Sequence, residues 1–212
     1  EPGTFLNGNI CSACPGGKFS SDYDTNACTA CPSGFHGQPR DRSSCSACPP
    51  GMWGDKKLPI LGGAPDISAG CNKCSAGRYS TIEALTADSS LIHEEPPCFA
   101  CPKGRWSGIV GSPALADCES CSAGQYLESV GAVSKDNCIA CNAGLFSETA
   151  AAQSLSVCKA CPSGFFQSSS AAAFCFPCSQ GEYQNGEGNT ACKPCAANTF
   201  SNSKAQTTTC DV

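Results

Sequence analysis

The sequence contains few aliphatic residues and no long apolar run. Leu, Ile, Val and Phe together account for 31 of the 212 residues, below the fraction of about 20% at which a chain usually builds a packed core. The most aliphatic run, Leu58-Pro59-Ile60-Leu61, is far shorter than the roughly 20 residues that a helix needs to cross a bilayer. The sequence therefore predicts neither a conventional enzyme core nor direct insertion into a membrane.

Positive charge, histidine and glycosylation sequons are also scarce. The chain has 13 Lys and Arg against 18 Asp and Glu, a formal charge of −5, and its cations are scattered singly, so nucleic acid is not an expected partner. The two histidines, His36 and His93, accompany no nucleophile elbow, phosphate loop or EF-hand. We expect no catalytic residues, no cofactor and, without an Asn-x-Ser/Thr sequon, no N-linked glycan.

Cysteine is the residue that the sequence has in excess. The chain has 21 cysteines, a density typical of proteins in oxidising, extracytoplasmic space. We therefore expect an extracellular protein, secreted or at the cell surface, in which cross-links replace a large core. Twenty of the cysteines form CxxC pairs: Cys11/Cys14, Cys28/Cys31, Cys45/Cys48, Cys71/Cys74, Cys98/Cys101, Cys118/Cys121, Cys138/Cys141, Cys158/Cys161, Cys175/Cys178 and Cys192/Cys195.

The spacing of these pairs indicates a tandem repeat over residues 1–212. From the second cysteine of one pair to the first of the next, 13 to 23 residues intervene. This is one unit of roughly 17 to 20 residues used ten times, with longer versions at 48–71 and 74–98. Frequent Gly, Pro and Ser exclude long helices or a large sheet, so each unit is predicted to be a short, irregular β-hairpin-like module.

Each repeat carries two further positions in register with its cysteines. Three residues after the second cysteine stands a glycine, replaced by Asn198 in the last repeat; both residue types tolerate positive φ, so a left-handed turn is predicted there. Two residues further on stands an aromatic ring, replaced once by His36. We expect this ring to cover the sulfur atoms and supply most of the apolar burial of its repeat.

The sequence resembles a known family at these positions. Cys-Pro-Ser-Gly-Phe-Phe-Gln-Ser at 161–168 and Cys-Pro-Gly-Gly-Lys-Phe-Ser-Ser at 14–21 are similar to ephrin-receptor-like cysteine-rich repeats, relatives of the modules of tumour-necrosis-factor receptors. Such repeats occur in receptor ectodomains and, in long arrays, in surface and flagellar-hair filament proteins of algae and other protists. The resemblance covers essentially the whole chain and implies extracellular scaffolding.

The spacing favours a sequential pairing of cysteines, because closing each 13-residue loop contributes roughly 3 kcal/mol, whereas a bridge within CxxC closes a tight, reducible ring. An interleaved pattern stays open as an alternative. Sequential pairing joins Cys14 with Cys28, Cys31 with Cys45, Cys48 with Cys71, Cys74 with Cys98, Cys101 with Cys118, Cys121 with Cys138, Cys141 with Cys158, Cys161 with Cys175, Cys178 with Cys192, and Cys195 with Cys210.

A zinc site is the other interpretation of paired CxxC motifs. Each four-thiolate site would carry a net charge of about −2 that nearby cations or backbone donors normally offset, and this chain is acidic with few cations. Glycine and aromatic positions also recur in every repeat rather than in alternate ones. We therefore predict disulfides and no metal ligands.

The two long repeats add aliphatic residues that a module this small has little interior to hide. One interpretation is that the neighbouring insertions pack on each other as a local mini-core; the other is that they present an apolar patch to another chain. The candidate interface residues are Leu58, Ile60, Leu61, Ile67, Ile82, Leu85, Leu91 and Ile92.

Both ends of the sequence are in phase with the repeat. Gly3 and Phe5 match the glycine and aromatic positions, and Cys210 is the beginning of a further CxxC. We therefore expect the 212 residues to be a segment of a longer array, in which Cys11 pairs with an upstream cysteine. The alternative is that Cys11 is unpaired or bridges to another molecule.

Together these features predict a small, disulfide-rich, elongated rod of about ten modules. The expected function is a non-catalytic structural subunit of a surface filament or stalk, whose partners are copies of itself or other surface subunits. A receptor ectodomain that binds a protein ligand through the array is the alternative. The serine run Ser168–Ser170 and the threonine run Thr207–Thr209 are candidate sites for O-linked sugar.

Overall fold

The computed structural model describes residues 1–55, 63–86 and 97–211. The chain divides into two compact units, one made of Glu1–Cys101 with Gly108–Asp117 and the other of Pro102–Ser107 with Cys118–Val212. No helix among the described residues is long and apolar enough to span a membrane.

The described residues form ten two-stranded antiparallel sheets, each a short hairpin. In each hairpin, the first strand follows the glycine that stands three residues after the second cysteine of the repeat, or follows Gly3 in the first hairpin. The second strand leads through or into the next CxxC motif. The strands are β1 (Thr4–Asn7), β2 (Ile10–Ala13), β3 (Lys18–Phe19), β4 (Thr29–Ala30), β5 (Phe35–Gly37), β6 (Cys45–Ala47), β7 (Met52–Gly54), β8 (Cys71–Lys73), β9 (Arg78–Tyr79), β10 (Phe99–Ala100), β11 (Arg105–Trp106), β12 (Glu119–Ser120), β13 (Gln125–Tyr126), β14 (Ile139–Ala140), β15 (Leu145–Phe146), β16 (Lys159–Ala160), β17 (Phe165–Phe166), β18 (Phe176–Pro177), β19 (Glu182–Tyr183) and β20 (Lys193–Pro194).

Among the described residues, helical structure consists of single turns that lead into a cysteine. Helix α1 spans Ile67–Gly70, and 3₁₀ turns span Leu115–Asp117, Lys135–Asn137 and Leu155–Val157. Asp66 begins α1, because its carboxylate accepts from the amides of Ser68 (2.9 Å) and Ala69 (3.0 Å), two of the donors that a helix start leaves unpaired. The helix ends where Cys71 returns to extended backbone.

The interior consists mainly of disulfide sulfur. The second cysteine of almost every pair is fully buried, as in Cys14, Cys74 and Cys141, whereas the aromatic rings two residues beyond the glycine are only half-buried. The bridges are thus the most completely buried part of the fold, and the expectation that the rings supply most of the apolar burial stays a prediction. The predicted fold class, a small disulfide-rich tandem array of short hairpins, is confirmed; its extension into a rod stays a prediction.

Candidate functional site

Twenty of the 21 cysteines are disulfide-bonded, and Cys11 is free and exposed. Nine bridges within the compact units join the second cysteine of one CxxC to the first cysteine of the next, and Cys101 and Cys118 are also bonded. The nine are Cys14–Cys28, Cys31–Cys45, Cys48–Cys71, Cys74–Cys98, Cys121–Cys138, Cys141–Cys158, Cys161–Cys175, Cys178–Cys192 and Cys195–Cys210.

The glycine three residues after the second cysteine, here called the slot glycine, has positive φ in every repeat. Asn198 at the same position also has positive φ (67°), so the predicted left-handed turn is confirmed where the residue type changes. Gly3 behaves in the same way, with φ of 81°. The slot glycines are Gly17, Gly34, Gly51, Gly77, Gly104, Gly124, Gly144, Gly164 and Gly181.

Most slot glycines donate a backbone hydrogen bond to the repeat that follows. The amide of Gly124 donates to the carbonyl of Ser147 (2.7 Å) in the next repeat, and its own carbonyl accepts from the amide of Cys141 (2.8 Å). Because these are backbone groups, they do not depend on side-chain identity. The same donation joins Gly3 to Ser20, Gly51 to Ser80, Gly104 to Leu127, Gly144 to Gln167, Gly164 to Gln184 and Gly181 to Ser201.

The residue three positions after the slot glycine adds a second bond to the following repeat. The amide of Leu127 donates to Ala152 (2.9 Å), and that of Ser147 donates to Ala172 (3.1 Å). These donors are largely buried, where an unpaired amide would be costly. Equivalent bonds run from Leu6 to Thr25, Ser20 to Arg42, Gly37 to Ala64, Gly54 to Leu85, Ser80 to Ser112, Ser107 to Ala132, Gln167 to Asn189 and Gln184 to Gln206.

A second left-handed position was missed by the sequence analysis. It lies immediately before the carbonyl that receives the bond just described, and its own amide donates back to the second cysteine of the preceding repeat, as from Ala151 to Cys121 (2.9 Å). Its residue type varies, but eight of the nine turn residues stand ten positions after the second cysteine of their repeat, and only Gly63, fifteen positions after Cys48, departs from this distance. The turn residues are Asp24, Gly63, Ala84, Gly111, Gly131, Ala151, Ala171, Gly188 and Ala205.

The slot glycine of one repeat lies against the left-handed turn residue of the repeat two positions further along the chain. A Cβ at Gly34 would lie 2.5 Å from the carbonyl oxygen of Ala84 and 2.9 Å from its carbonyl carbon, two repeats further on. A Cβ at Gly144 would overlap the carbonyl of Gly188 in the same manner. At Gly34 and Gly144 the slot therefore requires glycine for space as well as for φ. Within each compact unit, these contacts form a continuous backbone spine.

The aromatic position also acts on a neighbour. Trp106 packs against the cluster formed by Cys121, Leu127, Ala132 and Cys138, which belongs to the following repeat. This packing of Trp106 on the following repeat was not predicted from the sequence. A ring at this position therefore couples adjacent repeats.

One open cavity of about 370 Å³ lies beside helix α1, lined by His36, Gly37, Gln38, Pro39, Arg40, Asp66 and Ile67. The Ser68 hydroxyl and then the Ala69 amide bond to the Asp66 carboxylate and lower its pKa, with a smaller contribution from His36. Asp66 is thus occupied in starting the helix. The lining includes no Ser, Thr or Cys nucleophile, so it carries no acyl-transfer arrangement.

The candidate interface residues divide between described and undescribed parts of the chain. Leu58, Ile60, Leu61, Leu91 and Ile92 lie outside the described residues. Ile67 is 42% exposed, Ile82 is half-buried, and Leu85 is 1% exposed with its carbonyl in the spine. Leu85 therefore contributes to the interior rather than to a surface.

Exposed apolar side chains that the sequence did not single out lie at the loop tips and along the second strands. They reflect a fold whose interior is sulfur and backbone, with little room for side chains. In the described part they include Tyr23, Ile109, Val110, Val130, Val133, Ile139, Leu155, Phe174 and Phe176.

In the described parts of the chain, no group of three His, Cys, Asp or Glu side chains is placed to hold a metal ion. The bonded cysteines cannot supply thiolates. His93 lies outside the described residues.

These features define a class: an array of disulfide-bonded hairpin repeats that are joined by their backbones. Residues 167–210 match the model of a family described as tyrosine-protein kinase ephrin type A/B receptor-like, which confirms the resemblance to ephrin-receptor-like cysteine-rich repeats. Comparison with curated proteins gives no match. The disulfides and the family match are both typical of extracellular or secreted proteins.

Proposed function

We propose that the protein is an extracellular, non-catalytic structural repeat protein that forms part of a surface filament or stalk. The observation that carries this proposal is the spine: backbone bonds such as Gly124 to Ser147 and Leu127 to Ala152 link one repeat to the next. Several backbone bonds fix the orientation of each repeat relative to its neighbours, and a structural repeat protein needs its repeats to be held in this way.

Assembly with other chains requires a surface outside the spine. The long repeats supply Leu58, Ile60 and Leu61 by sequence, and the described tips supply exposed valines such as Val130 and Val133. Apolar side chains that a fold leaves in water favour association. We propose that copies of this chain, or related surface subunits, are the partners.

The test is the assembly state of the purified chain, measured by sedimentation velocity across a concentration series and by negative-stain electron microscopy. We expect concentration-dependent assembly that is lost when Leu58, Ile60 and Leu61 are changed to Ser with disulfides intact. The matched control changes the exposed polar run Thr207, Thr208 and Thr209 to Ser, a triple substitution outside the proposed apolar surface. Unchanged assembly with lower thermal stability in the first variant would instead indicate a mini-core in the long repeats.

A receptor ectodomain is the second candidate, and the exposed tips favour it. Ile109 and Val110 are both more than half exposed at one tip, as a ligand-binding surface would require. A chain that stays monomeric at every concentration would argue against the filament proposal and in favour of this one.

A further inference from the structure

Tyr23 differs from the other tyrosines of the chain. The four tyrosines are Tyr23, Tyr79, Tyr126 and Tyr183; the last three occupy the aromatic position, half-buried and paired within hairpins. Tyr23 is 72% exposed and lies at a loop tip. A phenol in this setting contributes little to packing and is open to chemistry from outside.

The tip that carries Tyr23 is held at its base and free at its apex. The buried Ser20 hydroxyl donates to the carbonyl of Asp22 (3.1 Å) and meets the Thr25 hydroxyl (2.9 Å), while the carbonyl of Thr25 accepts from the amide of Leu6 (2.8 Å). Residues 21–24 are all exposed. An enzyme can therefore reach the Tyr23 ring without disturbing the spine.

Two exposed carboxylates, those of Asp22 and Asp24, flank Tyr23 directly in the sequence. Tyr79 instead follows Arg78, and Lys193 lies over the ring of Tyr183 at 5.9 Å from its centroid. An enzyme that binds a polyanionic nucleotide donor needs a positively charged site, and such a site attracts acceptors flanked by carboxylates and disfavours those beside cations.

We propose that Tyr23 is a site of O-sulfation, an inference that rests on the extracellular placement in the proposed function. The phenolic oxygen attacks the sulfur of a nucleotide phosphosulfate donor. A new O–S bond forms, the bond between sulfur and the phosphate oxygen breaks, the nucleotide leaves, and the phenolic proton passes to a base of the enzyme. The product carries a third negative charge beside Asp22 and Asp24, which makes this tip an anionic site for a basic partner.

The experiment secretes the full chain from cultured cells grown with radioactive sulfate, alongside a known tyrosine-sulfated protein. Alkaline hydrolysis of the secreted chain releases tyrosine O-sulfate separately from sulfated sugar. We expect tyrosine O-sulfate in the wild type, its loss in Tyr23→Phe, and no change in the matched control Tyr183→Phe. Replacing Asp22 and Asp24 with Asn should lower the yield about tenfold, since the electrostatic attraction is removed.

Secreted chain without tyrosine O-sulfate, while the known protein is labelled, would overturn this inference and leave the proposed function untouched. Tyrosine O-sulfate that survives Tyr23→Phe, or a Tyr23 group that a phosphatase removes, would also overturn it. A chain that fails to leave the cell would count against the extracellular placement instead. Tyr23 is then tested with purified chain, a tyrosylprotein sulfotransferase and the nucleotide donor, where absence of transfer overturns the inference.

Discussion

The Cys48–Cys71 and Cys141–Cys158 repeats have different lengths, with cysteine separations of 23 and 17 residues, yet both make the same spine contacts. In the long repeat, the carbonyl of Ala64 accepts from Gly37 (2.7 Å); in the regular repeat, that of Ala152 accepts from Leu127 (2.9 Å). Loop length is therefore free to vary as long as the left-handed turn meets its neighbours.

The two long repeats place their extra residues on opposite sides of that turn. In the Cys48–Cys71 repeat the insertion lies before the turn residue Gly63, and in the Cys74–Cys98 repeat it lies after Ala84. The spine contacts at Ala64 and Leu85 are present with the extra residues on either side of the turn. Backbone alignment between repeats, more than the sequence of any loop, therefore fixes this fold.

The largest effect is expected where a side chain enters the spine. Gly144→Ala should destabilise the array by about 4 kcal/mol or more, because the new Cβ overlaps the carbonyl of Gly188 in addition to the strain of positive φ. Gly181 has a similar φ, 82° against 84° at Gly144, but open space around its Cβ position. Gly181→Ala should therefore cost only about 1–2 kcal/mol. Denaturant unfolding measures both, and equal losses would contradict the second-neighbour contact.

Disulfide removal should affect the long and regular repeats almost equally. Changing Cys48 and Cys71 to Ser, or Cys141 and Cys158 to Ser, should each lower the free energy of unfolding by about 3 kcal/mol, since closure entropy depends only weakly on loop length. The measurement is chemical denaturation of the two double variants. A much smaller loss in the long repeat would show that its insertion holds the loop by other means.

Truncating the ring at the aromatic position should destabilise the repeat that follows it along the chain. Trp106→Ala should cost about 2–4 kcal/mol, in the range for a truncated ring, and should loosen the following repeat because Trp106 packs on Cys121 and Cys138. Hydrogen exchange with peptide resolution should find the greatest loss of protection around Leu127 and Ala132. Loss confined to the residues around Trp106 itself would contradict this contact.

The smallest effect is expected at the turn residues that are alanine. Ala151 and Ala84 have φ of 53° and 52°, a strained region for any residue with a Cβ. Ala151→Gly and Ala84→Gly should each change stability by less than about 1 kcal/mol, with relief of strain offsetting the greater freedom of glycine in the unfolded chain. The change in melting temperature should be the same for both variants if the long and regular repeats share one turn. Asn198→Gly should also leave the stability nearly unchanged.

The sequence was sufficient for the fold class and for the slot glycines, because cysteine, glycine and ring recur at fixed distances. The second turn was harder to find, since its residue type varies between Asp, Gly and Ala. Its spacing was a usable signal, because Asp24 and Ala84 both stand ten residues after the second cysteine of their repeats and only Gly63 departs from that distance. The packing of Trp106 on the following repeat was not predicted, because a periodic ring position does not say which neighbours the ring meets. The exposed tips, including Tyr23, became visible only once burial was known.

Amide hydrogen exchange by NMR tests the spine most directly. The amides of Gly124, Gly144 and Gly164 donate across repeats to Ser147, Gln167 and Gln184. We predict that they exchange as slowly as the hairpin amide of Cys141, and that reduction of the disulfides abolishes both kinds of protection. Rapid exchange at these three glycines beside a protected Cys141 would show that the repeats fold as separate modules, and would contradict the spine.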